Sequence, residues 1–345
     1  MPATEDDAVL SFKHVGISRI HPPKQLLSSA SGYIQRGGIT AIMGASASGK
    51  SLLMRVLSGR VQDLSVTGDF QIDGIDVNYK NISNRIAYVP QGDILLGELS
   101  AREMLRDSAA MKRNKPLSEI NSDVARLLDI LGLHDVADNF IGTVFVRGLS
   151  GGQKKRVDIG AELVAAPLVL FLDEPTSGLD ASIAYDILTA IRTIVKASNG
   201  KLSVMLSIHQ PNSRILDLFD NVMLLGGGAM TFFGTIPESI HYFTGIGFPP
   251  LPQYTPTDFF LQITDPNFGS HSSSSFNFEG KTISKLNDLV ILIISHRLGR
   301  IFFAVSSFII NVRCTHPPPS PPRCTIQRIT VCLISSIPKH YLCDF

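Results

Sequence analysis

The chain lacks an excess of charge of either sign. Its 345 residues include 31 Lys and Arg against 30 Asp and Glu, a formal net charge of +1 at pH 7. Such a balance gives no general attraction to nucleic acid, so we expect no nucleic acid partner. With 44% hydrophobic and 18% charged residues, the composition is that of a globular chain long enough for one large or two ordinary domains.

Two other features are missing from most of the sequence. Residues 1–7 contain no basic segment followed by an apolar stretch, which predicts no secretory signal and a cytosolic start of the chain. No cysteine precedes Cys314, and the later ones, at 324, 332 and 343, do not follow metal-binding Cys-x-x-Cys spacing. We therefore predict no zinc site, and the late cysteines mark a change of composition.

One glycine-rich motif is the most informative stretch that is present. It reads Gly44-Ala45-Ser46-Ala47-Ser48-Gly49-Lys50-Ser51 and fits the pattern G-x-x-x-x-G-K-[ST], whose backbone N–H groups surround nucleotide phosphates. An apolar run at 39–43 precedes it and helix-compatible residues 51–57 follow, which predicts strand, loop and helix in turn. We call residues 44–51 the phosphate loop and predict that it binds ATP, the alternative being a surface turn rich in Gly and Ser.

The Gly, Lys and Ser residues of the phosphate loop each suit the binding of phosphate or Mg²⁺ for a physical reason. Gly44 and Gly49 allow positive φ angles and close approach to the phosphates, while the following helix directs unpaired N–H groups and its positive end toward them. Lys50 supplies a positive charge for the β and γ phosphates, and Ser51 offers a hydroxyl to Mg²⁺.

A second motif, Leu149-Ser150-Gly151-Gly152-Gln153, precedes a segment with helical character that ends before Pro167. We call residues 149–153 the signature segment. Glycines and a serine at a helix start can form a further phosphate-binding surface. An ordinary N-cap is the alternative interpretation.

Two acidic residues follow a run of five apolar residues. Residues 168–172 predict a strand buried on both faces, and Asp173 and Glu174 come directly after it, where open α/β sheets bind ligands. We expect Asp173 to hold Mg²⁺ and Glu174 to polarise the water that attacks the γ phosphate. The alternative is a solvated strand end.

The wider pattern alternates apolar strands and amphipathic helices from about residue 8 to 265, which predicts an α/β domain with a largely parallel sheet. Apolar stripes predict one helix over 120–131, ended by Gly132, and another over 183–195. After residue 265, Ser- and Pro-rich runs cannot build a core. Residues 289–312 are apolar enough to suggest a membrane-spanning helix. Arg297 and Arg300 oppose insertion, and we favour a buried or disordered tail.

These motifs together resemble the nucleotide-binding domain of ATP-binding cassette (ABC) transporters over about residues 8–265. The matching features, in the family's order and spacing, are Gln91 (Q-loop), residues 149–153 (signature), residues 177–180 (D-loop) and His209 (switch histidine). Alone, Gln91 is as readily a surface glutamine and His209 a strand-end histidine. The resemblance implies an α/β P-loop NTPase fold of ABC type at 1–265, with a helical subdomain at about 98–165. The composition after residue 265 predicts a poorly ordered tail at 266–345.

By the same resemblance, two such domains pair head to tail, and each ATP lies between one phosphate loop and the partner's signature. The implied catalytic residues are Glu174, His209 and Gln91. The implied metal-binding residues are Ser51, Gln91 and Asp173. The implied nucleotide-binding residues are those of the phosphate loop, Gly44, Ala45, Ser46, Ala47, Ser48, Gly49, Lys50 and Ser51, together with Ser150, Gly151, Gly152, Gln153 and Asp180. ATP and Mg²⁺ are the implied cofactors.

Residues 207–211, 217–220 and 242–260 resemble the G subfamily, whose half-transporters carry the ATPase domain before the membrane domain. The resemblance therefore implies a transmembrane partner domain and a place on the cytoplasmic side of a membrane, or in the cytosol for this chain alone. Arg19 stands where many members have an aromatic residue that stacks on adenine, and a cation can also stack there.

The sequence after residue 265 does not resemble the expected membrane domain, so we expect a truncated, alternatively spliced or misassembled product. Two alternative functions stay open: a non-transporting ATP-binding module that regulates or sequesters partners, and a soluble ABC ATPase. The second type usually has tandem cassettes or a long coiled coil between phosphate loop and signature, and this chain has neither.

Overall fold

The computed structural model describes residues 7–143, 145–246, 248–250, 253–264, 276–278 and 281–283. The strands of this part are β1 (Ala8–Arg19), β2 (Lys24–Gln35), β3 (Ile39–Met43), β4 (Leu64–Ile72), β5 (Ile75–Asp76), β6 (Ile86–Val89), β7 (Val169–Leu172), β8 (Ser203–Ser207), β9 (Asn221–Gly226), β10 (Ala229–Gly234), β11 (Phe276–Phe278) and β12 (Lys281–Ile283). The α-helices are α1 (Lys50–Leu57), α2 (Ala101–Lys112), α3 (Leu117–Ile130), α4 (Gly151–Leu163), α5 (Ala181–Ala197), α6 (Ser213–Leu216), α7 (Ile236–Gly245) and α8 (Pro256–Thr264).

A six-stranded sheet in the order β10-β9-β3-β8-β7-β6 forms the centre of the fold. Its strands run parallel except β10, which pairs antiparallel with β9. All residues of β3, β6, β7, β8 and β9 are buried, as expected for parallel strands covered on both faces. The predicted parallel sheet is thus confirmed, including the strands before the phosphate loop and before Asp173.

The second sheet was not anticipated by the sequence patterns. It is antiparallel, with the order β2-β1-β4-β5. Its longest strands, β1 and β2, have several register irregularities, and only part of each is buried. Such strands do not show the clean alternation of apolar and polar residues on which sequence reading depends. A short antiparallel pair, β11 and β12, lies further along the chain.

The central sheet separates two hydrophobic clusters. Alternate residues of β7 serve different clusters, because successive side chains of a strand point to opposite faces. Leu170 and Leu172 pack with α5, whereas Phe171 packs with α1 and strands of the antiparallel sheet. Each face of the sheet is therefore fixed by its own core.

Both predicted amphipathic helices are confirmed. In α3 the buried residues are Ile120, Val124 and Leu128, and Gly132 follows the helix with a φ of 64°. In α5 the buried stripe includes Ile187, Ile191 and Val195.

A third hydrophobic cluster joins α2, α3 and α4. These helices lie within the predicted helical subdomain, whose boundaries stay a prediction. No α-helix among the described residues is long and apolar enough to cross a membrane. The predicted tail, apart from β11 and β12, and the apolar segment at 289–312 lie outside the described residues.

Candidate functional site

Four parallel strands end at the same edge of the central sheet, and each is followed by predicted site residues. The phosphate loop follows β3, and Gln91 lies two residues after β6. Asp173 and Glu174 follow β7, and His209 lies two residues after β8. Since parallel strands bring their carboxyl ends together, residues from distant parts of the sequence meet here.

The backbone of the phosphate loop has angles that favour glycine. Gly44 has a φ of 151° and Gly49 a φ of 102°, and Gly49 directly precedes α1. A Cβ at Gly44 would lie 2.1 Å from the carbonyl oxygen of Leu225, so no side chain fits there. The buried Ser48 hydroxyl has no hydrogen-bond partner among the described residues. The backbone of the loop thus allows a ligand to approach closely, and the Ser48 hydroxyl is a donor that a ligand could use.

Lys50 is held inside the phosphate loop. Its Nζ donates to the carbonyl oxygens of Gly44 and Ala45, each at 2.9 Å, and the residue is only 6% exposed. Burial lowers the pKa of Lys50, while the carboxylates of Glu174 and Asp173 act in the opposite direction. The first residue of α1 therefore places an amine next to two acids.

Asp173 is the centre of a hydrogen-bond network. Its Oδ1 accepts from the hydroxyls of Ser51, at 2.8 Å, and Ser207, at 2.7 Å, and its Oδ2 accepts from the hydroxyl of Tyr88 at 2.9 Å. Burial and the neighbouring Asp173 carboxylate raise the pKa of Tyr88, which keeps the phenol a donor. The carboxylate is therefore fixed from three sides.

Glu174 has an unusual backbone conformation and a single side-chain contact with the Q-loop. Its φ is 47°, in the left-handed region, and its N–H donates to the Ser207 hydroxyl at 2.8 Å. The Nε2 atom of Gln91 donates to Glu174 Oε2 at 2.9 Å and to Ser177 Oγ at 3.3 Å. Strained residues of this kind cluster at functional sites.

His209 also reaches the phosphate loop. Its Nε2 lies 3.1 Å from the Oγ of Ser46. The structure therefore brings together the phosphate loop, Asp173, Glu174, Gln91 and His209. The most distant of these contacts joins Ser46 and His209, which are 163 positions apart in the sequence.

The comparisons with known proteins agree with this geometry. Residues 27–177 match the family model described as ABC transporter. The chain contains an ABC transporter ATP-binding domain. The chain is 38% identical over 268 residues to the broad substrate specificity ATP-binding cassette transporter ABCG2 of Rattus norvegicus, covering 74% of this chain and 40% of that protein. It is 36% identical to ABC transporter G family member 1 of Dictyostelium discoideum, covering 73% of this chain and 32% of that protein.

Solved structures show the same fold. One is cbiO1 of Clostridium perfringens, part of the ABC transporter complex cbiONQ, at 26% identity and a TM-score of 0.58, covering 68% of this chain and 91% of that one. The described domain is an ABC-type ATP-binding domain, and its sequence relatives include members of the G subfamily. The chain spans less than half the length of these relatives.

The signature segment of this ABC domain is engaged with its own helix. Ser150 is the N-cap of α4, where its hydroxyl accepts the N–H of Gln153 and the Gln153 side chain accepts the N–H of Ser150. The N-cap interpretation is thus correct as a local description, and it does not oppose a role with nucleotide. Within the described part of the chain, no hydrogen bond joins the signature segment to the phosphate loop.

The signature segment packs against the D-loop side of the same chain. A Cβ at Gly152 would lie 2.5 Å from the Cγ2 of Ile183, and one at Gly151 would lie 3.7 Å from Leu179. Asp180 caps α5, because its Oδ1 accepts the N–H groups of Ser182 and Ile183. Gly152 therefore has a packing reason for its small size in addition to any contact with nucleotide.

The chemistry of the donors fits a magnesium nucleotide. Ser51 and Asp173 place hard oxygen atoms beside the loop lysine, and Mg²⁺ prefers such ligands together with phosphate oxygens. In the described residues no group of three or more His, Cys, Asp and Glu side chains could hold a metal by itself.

Sequence reasoning missed Tyr88 and Ser207 as members of the site. Tyr88 lies 85 positions from Asp173 and Ser207 lies 34 positions from it. The available signal was their position near the ends of two apolar strands, β6 and β8, which adjoin β7 on either side.

Proposed function

We propose that the chain binds MgATP at its phosphate loop and hydrolyses it in a head-to-tail dimer of ABC domains, to power transport across a membrane by a G-type transporter. The observation that carries the proposal is the contact network at the sheet edge. There Ser51 contacts Asp173, Gln91 contacts Glu174, and His209 contacts Ser46.

The proposed roles follow from position and chemistry. Lys50 and the N–H groups of residues 44–51 bind the phosphates, while Ser51, Asp173 and Gln91 hold Mg²⁺, directly or through water. A bound magnesium ion would neutralise charge on the phosphates during transfer. Tyr88 and Ser207 keep the Asp173 carboxylate in place for this role.

Glu174 is the proposed general base. It adjoins Asp173, its backbone is fixed by the hydrogen bond to Ser207, and Gln91 orients its carboxylate. It would accept a proton from the attacking water, while His209 donates a hydrogen bond to the γ phosphate.

The second half of the proposed ATP site comes from another ABC domain, identical or different. Ser150, Gly151, Gly152 and Gln153 lie at the N-terminus of a 13-residue helix, where N–H groups and the helix dipole favour an anion. Asp180 lies at the adjacent D-loop and contributes to the same interface.

We also propose that residues 1–265 are the ABC domain, with a helical subdomain at about 98–165. The separate hydrophobic cluster of α2, α3 and α4 supports that subdomain. A transmembrane partner domain and a location on the cytoplasmic side follow from the similarity to G-subfamily transporters.

The proposed chemistry is tested by Glu174→Gln in the full chain. Removing the base while keeping the side-chain shape should lower kcat for ATP hydrolysis by about 100-fold or more, with MgATP affinity unchanged. Glu119→Gln, on the exposed surface of α3, is the matched control and should hydrolyse ATP at the wild-type rate. Equal rates for Glu174→Gln and wild type would remove Glu174 from its role.

A further inference from the structure

A buried lysine lies on α4 shortly after the signature segment. The side chain of Lys155 is 6% exposed, and its Nζ is 2.5 Å from Asp93 Oδ1 and 3.7 Å from Asp158 Oδ2. The same ammonium donates to the main-chain oxygen of Gln91 at 3.1 Å. One side chain of α4 thus contacts the loop that follows β6 at two of its residues.

Asp158, on the same helix, lies beside this attachment. Its Oδ2 lies 3.7 Å from Lys155 Nζ, and the nearby backbone N–H of Ile94 favours its charged form and so opposes the rise of its pKa on burial. The loop from Gln91 to Ile94 is therefore bound to α4 through the main chain of Gln91 and the side chain of Asp93, with the Asp158 carboxylate beside it.

Lys155 and Asp158 are both buried, and a buried ion pair is weak evidence for stability, because the cost of removing the charges from water can exceed their attraction. Apolar packing would fill the same volume without that cost. What the charges add is directional contact, since an ammonium requires oxygen atoms at defined places around it. The arrangement therefore determines the position of the loop relative to α4.

Both ends of this connection lead to proposed site residues. On one side Gln91 extends its amide to Glu174 and Ser177. On the other side α4 is preceded by its N-cap Ser150 and includes Gly152, five and three positions before Lys155. A shift of α4 would move Lys155, and the main chain of Gln91 with it.

We propose that Lys155 is a positioning residue that couples the placement of Gln91 beside Glu174 to the orientation of the helix that carries the signature segment. This inference rests on the proposed function, because the coupling affects hydrolysis only if Glu174 and Gln91 take part in hydrolysis. Hydrolysis at Glu174 then depends on the position of α4, and Lys155 acts through its contacts with Asp93 and the main chain of Gln91.

The test compares Lys155→Met and Asp93→Asn with a neighbouring control in the full chain. Lys154→Met removes the same charge from the same helix, but Lys154 Nζ donates to Gly142 instead of to the Gln91 loop. Misplacing Gln91 should lower kcat about tenfold in Lys155→Met and in Asp93→Asn, with MgATP affinity within about twofold of wild type. Lys154→Met should match wild type in both quantities.

A double-mutant cycle separates positioning from a merely structural role. In a Gln91→Ala background, Lys155→Met should lower kcat by less than about twofold, because its effect passes through Gln91. The full tenfold loss in that background would overturn the proposal. Asp93→Asn, on an exposed loop, serves for the same cycle if Lys155→Met does not fold.

Hydrogen exchange gives a readout that does not require turnover. Amides of residues 91–97 should exchange about tenfold faster in Lys155→Met and Asp93→Asn than in wild type or Lys154→Met, because the loop loses its attachment. Unchanged exchange would refute positioning by Lys155, whatever the ATPase result. If instead exchange rises but Glu174→Gln hydrolyses ATP at the wild-type rate, the proposed function fails and the attachment of the loop stands.

Discussion

The phosphate-loop edge and the signature segment of this ABC domain differ in how complete they are within one chain. At the sheet edge, residues from four strand ends already contact one another, with Asp173 fixed by three hydroxyl groups. At the signature segment, the side chains of Ser150 and Gln153 each accept a hydrogen bond from the other residue's backbone N–H, at the start of their own helix. We infer that the first region can bind nucleotide by itself, whereas the second acts on nucleotide held by another molecule.

The largest expected effects come from one variant in each region: Lys50→Met should lose MgATP binding, and Ser150→Asp should lose ATP hydrolysis alone. Lys50→Met should weaken MgATP binding by about 50-fold, because a charged hydrogen bond to phosphate is lost. Ser150→Asp should leave MgATP binding by the separate chain unchanged, because the signature segment does not contact the phosphate loop of its own chain. It should nevertheless lower ATP hydrolysis about 100-fold, because a carboxylate would face the phosphates of the partner's ATP.

Asp is chosen at position 150 because it caps helices as well as Ser does, so α4 should keep its stability. Ser150→Thr, which keeps both the hydroxyl and a cap, is the control and should retain most of the activity. Nucleotide titration and steady-state hydrolysis on the same samples measure the two properties. A loss of binding in Ser150→Asp equal to that in Lys50→Met would contradict the division between the regions.

A smaller effect is expected from Asp158, on the helix that joins the two regions. Burial raises the pKa of Asp158 to about 6, Asp93 and Glu162 act in the same direction, and Lys155 opposes them. Because the folded chain binds this proton more readily than the unfolded chain, stability from this group is lost as pH rises from about 4 to about 6.

Asp158→Asn removes that dependence and keeps the size and shape of the side chain. The free energy of unfolding of Asp158→Asn minus that of wild type should therefore be about 1 kcal/mol larger at pH 7.5 than at pH 4.5. Denaturant titrations at the two pH values measure this difference. A difference that does not change with pH would show that Asp158 titrates normally.

The contiguous parts of the site could be predicted from the sequence. Glycine positions with positive φ, a lysine and a serine occur within residues 44–51, so the phosphate loop shows its chemistry locally. The apolar strand before Asp173 and the cap at Ser150 likewise depend on neighbours within a few positions.

Long-range partners could not be predicted in the same way. Tyr88 reaches Asp173 only because β6 and β7 pair in parallel, and Lys155 reaches Asp93 only because α4 packs beside the loop after β6. The antiparallel sheet was missed because the irregular register of β1 and β2 interrupts alternation. Which strands adjoin is a property of the whole fold, and single-sequence patterns do not contain it.

The most direct test of the account is ATP hydrolysis by an equal mixture of Lys50→Met and Ser150→Asp chains. Each variant alone lacks one half of every site and should show background activity. If one chain's phosphate loop works with another chain's signature segment, half of the randomly paired dimers contain one intact site, and the mixture should regain about a quarter of the wild-type rate. A mixture no more active than the average of its two components would contradict the account.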